Sequence, residues 1–413
     1  MAGMRTIALL ILLSASPVIA ANWPAWRGPH HNGVCDETGL PLKWSATENV
    51  AWKTPLPGPG NSTPVIWGDK VFVTQSLDDG RRRELWCFDK ITGDALWKRG
   101  VDYEKGDSTH KTNPHCSGSP TTDGERVIVN FASAGVHCFD LEGNPLWQRD
   151  LGPQKHIWGP GTSPVLAGDR CYLNHGPSDN NTKLVALDKL TGEIVWEKPE
   201  PARPHKGKDG FYGSWSDPLP VAIRNQPLLM MSWPYRMCAL DPHTGKEIWT
   251  HEGLNTLVYT SPLFADGIVV GMGGFSGVAL ALQTSAHGEV KEIWRHAKSP
   301  QRIASGVIHD GHIYIHNDPG TVQCIELKTG KELWNERLKG QGNSGQNWTS
   351  IVLSEGRCYT VNQGGDAFVF KASPKFELLA VNPMGEKVIG SIAVSDGQLF
   401  IRSHQHLFCI GKR

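Results

Sequence analysis

His115, His156, Trp158, Trp215, Tyr259, Arg302 and Trp348 each precede a short apolar run, and His316, Asn317, Asn362 and His404 each follow one. Aromatic plates, imidazoles and amides of this kind suit non-covalent recognition of a planar polar molecule, a sugar or an extended peptide. The same groups could instead satisfy loop backbone and fill a mouth that holds nothing. Residue types that carry covalent chemistry do not occur in their diagnostic spacings. The chain has no Gly-x-Ser-x-Gly, no His-Glu-x-x-His and no Cys-x-x-Cys, and His251-Glu252 lacks a second His. No catalytic set and no metal-ligand set is expected. Gly271-Met272-Gly273-Gly274 lies in a strand pattern and reads as a close backbone approach rather than a phosphate cradle. Asp217 and Asp318 are the acids nearest to the candidate segments.

Residues so far apart in sequence can share one mouth only if a repeat brings them there. Leu85 to Trp97 contains Asp89, Thr92, Gly93 and Trp97, and Leu184 to Trp196 repeats it with Asp188, Thr191 and Gly192. Further copies carry Asp241, Thr244, Gly245 and Trp249, then Glu326, Thr329, Gly330 and Trp334, with a looser one at Asp140, Gly143 and Trp147. Trp52 and Trp294 occupy the same place in degraded copies. Self-similarity at roughly 40 to 50 residues is the signature of a propeller or solenoid.

Within one unit, Thr63 to Ile66, Val71 to Thr74, Leu85 to Phe88 and Ala95 to Lys98 read as four short strands separated by turns. In the last turn the Asp accepts backbone N–H groups and the Gly takes the positive φ that closes the bend. The Trp is an apolar plate expected to pack on the neighbouring unit, since a lone sheet cannot bury both faces. First strands begin near Ser62, Ser119, Ser163, Ser216, Ser261, Ser305, Ser350 and Ser391. The eighth unit lacks a fourth strand, and Val50-Ala51-Trp52-Lys53 matches the missing piece. The expected fold is all-β, an eight-bladed propeller over residues 49–413 whose N-terminal strand completes the C-terminal blade. Closure of this kind removes exposed sheet edges.

Residues 1–20 read as a cleaved leader, with Arg5, an apolar core from Ile7 to Leu13 and small residues before Ala21. No Cys stands at the expected cut, so an exported protein without a lipid anchor is expected, in the periplasm or secreted. No later run approaches the roughly 18 apolar residues of a membrane span. Residues 21–48 form an N-terminal extension. Lys plus Arg equals Asp plus Glu at 41 each, which argues against nucleic acid. Arg81-Arg82-Arg83 reads as a solvated loop. Seven of the nine cysteines recur in the repeat register as small buried hydrophobes. Only Cys35 and Cys116 fall outside it; they either form a disulfide or remain free.

The Asp-x-x-Thr-Gly-x-x-x-Trp phrase resembles the tryptophan-docking repeat of the pyrroloquinoline quinone (PQQ) propellers over nearly the whole chain after residue 20. The opening Asn22-Trp23-Pro24-x-x-Arg27-Gly28 is also similar to the start of such propellers. The resemblance implies one of two branches: quinoprotein alcohol and sugar dehydrogenases, or scaffold propellers of the outer-membrane assembly factor type. The dehydrogenase branch implies PQQ with Ca²⁺, an Asp base and an adjacent Cys-Cys ring. No two Cys are adjacent here.

Turns between first and second strands and between third and fourth are stereotyped; the other connections vary, and variable loops on one face mark a binding side. The seventh unit, with Ser373-Pro374-Lys375 in place of the usual turn, offers a less regular rim for a partner. The expectation is a monomeric, non-enzymatic binding or scaffold module for a protein, peptide or carbohydrate, without cofactor. The alternative is a PQQ-dependent oxidoreductase of alcohols or sugars.

Overall fold

Alternating apolar residues and glycine-bearing turns fold into eight four-stranded antiparallel sheets. The computed structural model describes residues 21–412 apart from 180, 201–210, 276 and 286–287; the expected leader over 1–20 lies outside the described residues. Blade 1 runs in chain order through Val65–Trp67, Lys70–Leu77, Arg82–Asp89 and Ala95–Asp102. Blades 2 to 7 repeat that order over residues 121–149, 165–199, 219–252, 263–296, 307–337 and 352–383. Blade 8 takes three strands from Ala393–Ser395, Gln398–Arg402 and His406–Ile410, and its fourth from Val50–Pro55. Trp52 pairs with Cys409 and Lys53 with Phe408, so the ring closes where the sequence places the closure.

The turn between third and fourth strands works as its residues require. Asp89 Oδ1 accepts the N–H groups of Ile91 and Thr92 at 2.8 and 2.7 Å. Asp188 and Asp241 do the same for their own turns. Gly93 stands at φ +78°, and a Cβ there would lie 2.6 Å from the Trp52 ring of the preceding blade. The glycine is thus the seat for that indole. Trp52 Nε1 then donates to Lys90 O at 2.8 Å. The same step is taken by Trp97 to Leu141 O, Trp147 to Lys189 O, Trp196 to Pro242 O, Trp294 to Leu327 O and Trp334 to Ser373 O. At Ser373 the turn has no glycine, and Phe376 packs against Trp334 with ring centroids 5.1 Å apart. Trp249 is buried without a partner for its Nε1 among the described residues.

Opposite each docking Trp the third strand carries a small residue: Cys87, Cys138, Ala186, Ala239, Ala281, Cys324 and Cys409. A β-bulge follows at each of these pairs, which tilts the outer strand and aims the indole at the next blade. The core therefore lies between sheets rather than within one: Phe72, Leu85 and Cys87 of blade 1 pack on Val127, Val129 and Phe139 of blade 2. All nine cysteines are buried and free. Cys35 and Cys116 do not form a disulfide, because they sit in different clusters. Cys35 packs with Trp23 and Leu40, and Cys116 with Phe72 and Val129.

Around the axis the blades are joined by a closed ring of hydrogen bonds. The N–H of Thr63 donates to Ser119 Oγ at 2.9 Å, Ser119 to Ser163 at 3.1 Å and Ser163 to Asp217 Oδ1 at 2.9 Å. Asp217 donates to Ser261 at 2.9 Å, Ser261 to Ser305 at 3.0 Å and Ser305 to Ser350 at 3.0 Å. Ser350 donates to Ser391 at 2.9 Å, and Ser391 returns to Thr63 Oγ1 at 3.1 Å. Two ring members differ from the first-strand starts expected at Ser62 and Ser216: the ring uses Thr63 and Asp217, the residues directly before Pro64 and Pro218. Ser62 instead accepts from the buried Arg402 at 2.6 Å.

The extension is a plug. Trp23 bridges to Ile66 of blade 1, Pro24 O accepts from Thr122 of blade 2, and Val34 bridges to Leu353 of blade 7. Arg27, buried, donates to Ile351 O at 3.0 Å and to the carbonyls of Ser305 and Gly306. The segment so spans the face of the stereotyped turns. Arg83, expected in a solvated loop, is a buried strand residue paired with Asp107 at 2.8 Å. Removing the Trp52 indole should cost about 3 kcal/mol, the usual loss for a large buried ring. Urea unfolding of Trp52→Ala, and of a chain lacking residues 49–53, is expected to show a lower midpoint; an unchanged midpoint would refute closure as a source of stability.

Candidate functional site

On the face opposite the plug the axis opens into a funnel of about 340 Å³. Apart from Trp26, every lining residue comes from connections into first strands or between second and third strands. Trp26 belongs to the plug and lies below the ring residues Ser163 and Asp217, so the channel is a dead end.

One wall is aromatic. His110 lies 4.7 Å from Trp158, Trp158 6.0 Å from Phe211, and Phe211 6.0 Å from Phe275 by ring centroids. Phe275 continues to Tyr259 at 6.4 Å and Tyr259 to Trp215 at 5.1 Å. The last pair is set by backbone. Gly213–Ser214 pairs in parallel with Leu257–Val258, and Trp215 N–H donates to Val258 O at 2.8 Å. Gly274 is the close approach expected of the glycine cluster, since a Cβ there would lie 2.1 Å from the Tyr259 ring. Trp215 Nε1 donates to Gly159 O at 2.9 Å, and Asn113 holds the loop through Trp158 O and Pro160 O at 2.7 and 2.9 Å.

The opposite wall carries Gln301, Asp318, Gln346, Trp348 and Gln363, with Asp217 in the ring below. Asp318 Oδ1 accepts Trp348 Nε1–H at 2.8 Å, and its backbone is fixed by Gln301 O and Asn347 N. Burial raises the Asp318 carboxyl above its ordinary range, the Trp348 bond opposing the shift only in part. Burial pushes Asp217 up to about 8, against the hydrogen bonds from Ser163 that lower it. Desolvation also raises the Tyr259 phenol, with Asp318 adding to the effect. Among the described residues no Lys, Arg or His forms an ion pair with either acid, and no Lys or Arg lines the funnel.

Of the eleven residues expected at the mouth, Trp158, Trp215, Tyr259 and Trp348 line it together. The other seven stand behind. His156 Nε2–H donates to Tyr212 O at 3.1 Å and the ring meets Trp215 edge-on at 5.2 Å, so it positions that wall. His316 is fully buried on Thr360 Oγ1 at 2.9 Å, with desolvation lowering it to about 3. Arg302 bonds Asn317 Oδ1 at 3.2 Å and Gln323 Oε1 at 3.0 Å, and burial lowers it to about 10. Asn317 in turn donates to Gln323 at 2.9 Å. Asn362 caps the loop to Asp366 at 2.9 Å, His404 reaches Asn61 at 3.4 Å, and His115 packs on Gly80. Sequence reasoning missed Phe275, His110 and Trp26 as lining groups. The first two lie in loops without repeat register, and nothing before folding places the extension across the axis.

PQQ is a planar tricarboxylate, and the resemblance to the dehydrogenase branch implies Ca²⁺ beside it. Calcium takes roughly six to eight oxygen ligands with carboxylates among them. Among the described residues no group of three or more His, Cys, Asp or Glu could hold a metal. The funnel offers two acids set apart in different connections and no Lys or Arg for the carboxylates. Its donor set does not fit that cofactor.

A family model described as outer membrane protein assembly factor BamB matches residues 34–157, 110–336 and 285–374. An uncharacterized protein of Rickettsia prowazekii is 25% identical over 52% of this chain, which spans about half of that relative, 51% of its length. Outer membrane protein assembly factor BamB of Nitrosomonas eutropha is 23% identical over 62% of this chain and 70% of its own. The fold is shared with BamB from Moraxella catarrhalis at TM-score 0.62 and 14% identity, covering 88% of this chain and 97% of that one. It is shared equally with a europium-containing methanol dehydrogenase at TM-score 0.70 and 10% identity, covering 95% and 98%. No helix among the described residues is long and apolar enough to cross a membrane.

Asp217 makes a pH prediction. An acid whose folded pKa, about 8, exceeds its unfolded value of about 3.9 binds its proton more tightly when folded. Stability from this group is therefore full below about pH 4, falls as pH rises through the window, and levels off above about 8. Asp217→Ser restores the residue used elsewhere in the ring and keeps an acceptor for the Ser163 N–H. Its melting temperature is expected to gain on the parent steadily from pH 4 to pH 8; parallel pH profiles would show that Asp217 does not carry this cost.

Proposed function

The chain belongs to the family described as outer membrane protein assembly factor BamB, and from that membership we propose that it is an exported, non-enzymatic binding module. The observation that carries the reading is the dead-end funnel. Its walls come almost wholly from the variable connections, while the repeat itself is spent on holding blades together. Such a pocket holds a segment of a partner, a peptide or a carbohydrate, against aromatic rings and amides. The rigid disc then presents that segment without moving. The periplasm or the exterior is the compartment the leader implies, and no anchor is required for this role. The chain acts as a monomer in this reading, since the ring leaves no incomplete blade for a second copy to fill.

A dehydrogenase of the same fold would behave differently. Purified protein mixed with PQQ and Ca²⁺ and then desalted is expected to retain no quinone absorbance and to reduce no dye with alcohols or sugars. Peptide and oligosaccharide arrays are expected to show binding that falls about tenfold or more in Trp215→Ala and Trp348→Ala, the loss of an aromatic anchor at a pocket centre. Retained quinone with turnover would overturn the proposal. Array binding indifferent to both substitutions would move the site elsewhere.

A further inference from the structure

The two acids in the funnel are anomalous. Buried carboxyl groups are ordinarily paired with a cation or saturated with hydrogen bonds. Asp217 is 4% exposed and Asp318 is 5% exposed. Asp318 takes one side-chain hydrogen bond, from Trp348, and Asp217 takes its bonds from Ser163 alone. Among the described residues neither has a cationic partner. Seven of the eight ring positions carry Ser or Thr, which satisfy the same N–H without a charge. The ring therefore does not need an acid at position 217.

The aromatic wall supplies the second half of the argument. Rings that line a cavity present negative π faces, which attract a desolvated cation within about 6 Å of the centroid. Trp158, Trp215, Tyr259 and Phe275 form one such wall, and Trp348 stands across from them with its N–H turned to Asp318. That bond uses the positive edge of the Trp348 indole on the acid. An anion entering the funnel would meet two carboxyl groups and no Lys or Arg. A neutral sugar would find amides but would leave the acids unpaired.

From this juxtaposition of rings and unpaired carboxyls we infer that the funnel binds an organic cation, an alkylammonium head seated between the aromatic wall and Asp318 with Asp217 beneath. The inference rests on the reading of the funnel as a binding site and names the chemistry that site selects. The head could belong to a free small molecule or to a side chain of a partner protein. The chemistry is the same in both cases, and the experiment separates them. Asp318 and the rings touch the ligand in this account; His156 acts only by positioning Trp215.

The test uses the whole chain and paired probes. Choline and its uncharged isostere 3,3-dimethylbutan-1-ol are titrated by calorimetry and by tryptophan fluorescence. A pentapeptide with a central trimethyllysine is titrated beside one with norleucine in its place. The charged member of at least one pair is expected to bind about tenfold more tightly than the neutral one, the scale of a desolvated cation–π contact. Tight binding of choline points to a free small cation; binding of the trimethyllysine peptide alone points to a partner side chain. Asp318→Asn is expected to remove most of the difference between charged and neutral probes, with its melting temperature reporting whether the fold is kept. Trp215→Ala is expected to weaken both members. Equal affinity within both pairs overturns the cation inference. If array ligands still depend on Trp215 and Trp348, the binding-module reading then survives it; if no probe and no array ligand does, both fall.

Discussion

Eight backbone N–H groups at the propeller axis each donate to a side-chain oxygen of the next blade, and the eighth bond returns to the first blade. These groups sit at the start of first strands, where no neighbouring strand can receive them. Left unpaired in a buried ring, each would cost roughly 1 to 3 kcal/mol. The constraint fixes residue type, since only a short side chain with an oxygen on or near Cβ reaches the next blade. It also fixes spacing, because a blade one residue out of register would break two bonds rather than one. The proline after Thr63, Ser119, Ser163, Asp217 and Ser261 holds the preceding residue extended and so helps to aim its side chain.

The outer half of the disc is held by a different device with the same logic. Each docking indole leaves its own blade, stacks on the turn of the next and donates to a carbonyl there. Arg99 and Arg149 add a second link two residues later, to the carbonyls of Gly143 and Gly192 at 2.8 and 2.7 Å. The small residue opposite each Trp explains four of the nine cysteines, Cys87, Cys138, Cys324 and Cys409. A side chain larger than Cys at position 87 or 138 would crowd the bulge that turns the indole outward. The cysteines are thus packing residues, and burial raises their thiols, Cys87 and Cys138 to about 12, which removes thiolate reactivity.

This division of labour decides what could be read before folding. The blade count, the turn chemistry and the closure at Trp52 repeat along the chain, and repetition makes a pattern visible without coordinates. The ring was half legible. First strands counted from Ser62 and Ser216 start one residue early, whereas the residue directly before Pro gives Thr63 and Asp217. Once Asp217 is in the ring, its chemistry differs from its neighbours, and alignment on Ser conceals it. The candidate site suffered from the opposite problem. Loop residues carry no register, so polar type was the only guide. Arg302 and Asn317 are polar because they satisfy each other and Gln323 behind the wall, and His316 is held there by Thr360. Of the rings at the mouth, Trp215 packs on Tyr259, Trp158 on His110 and Phe211, and Trp348 bonds Asp318.

The plug changes what the axis can be. A propeller channel open at both ends exchanges water freely and holds nothing by shape. Here Trp26 floors the funnel, and Arg27 anchors it by carbonyls of blades 6 and 7 although burial lowers its pKa to about 9. A buried guanidinium in such a place is tolerated only if several acceptors surround it, and the ends of first strands supply them. Asp217 lines both the funnel and the small plug-side cavity that Arg27 also lines, and among the described residues no ion pair joins Arg27 to Asp217 or Asp318. Arg27 is thus occupied by backbone oxygens. On the open side Asp318 has the Trp348 N–H as its side-chain partner, and a group arriving from solvent can meet its remaining oxygen there.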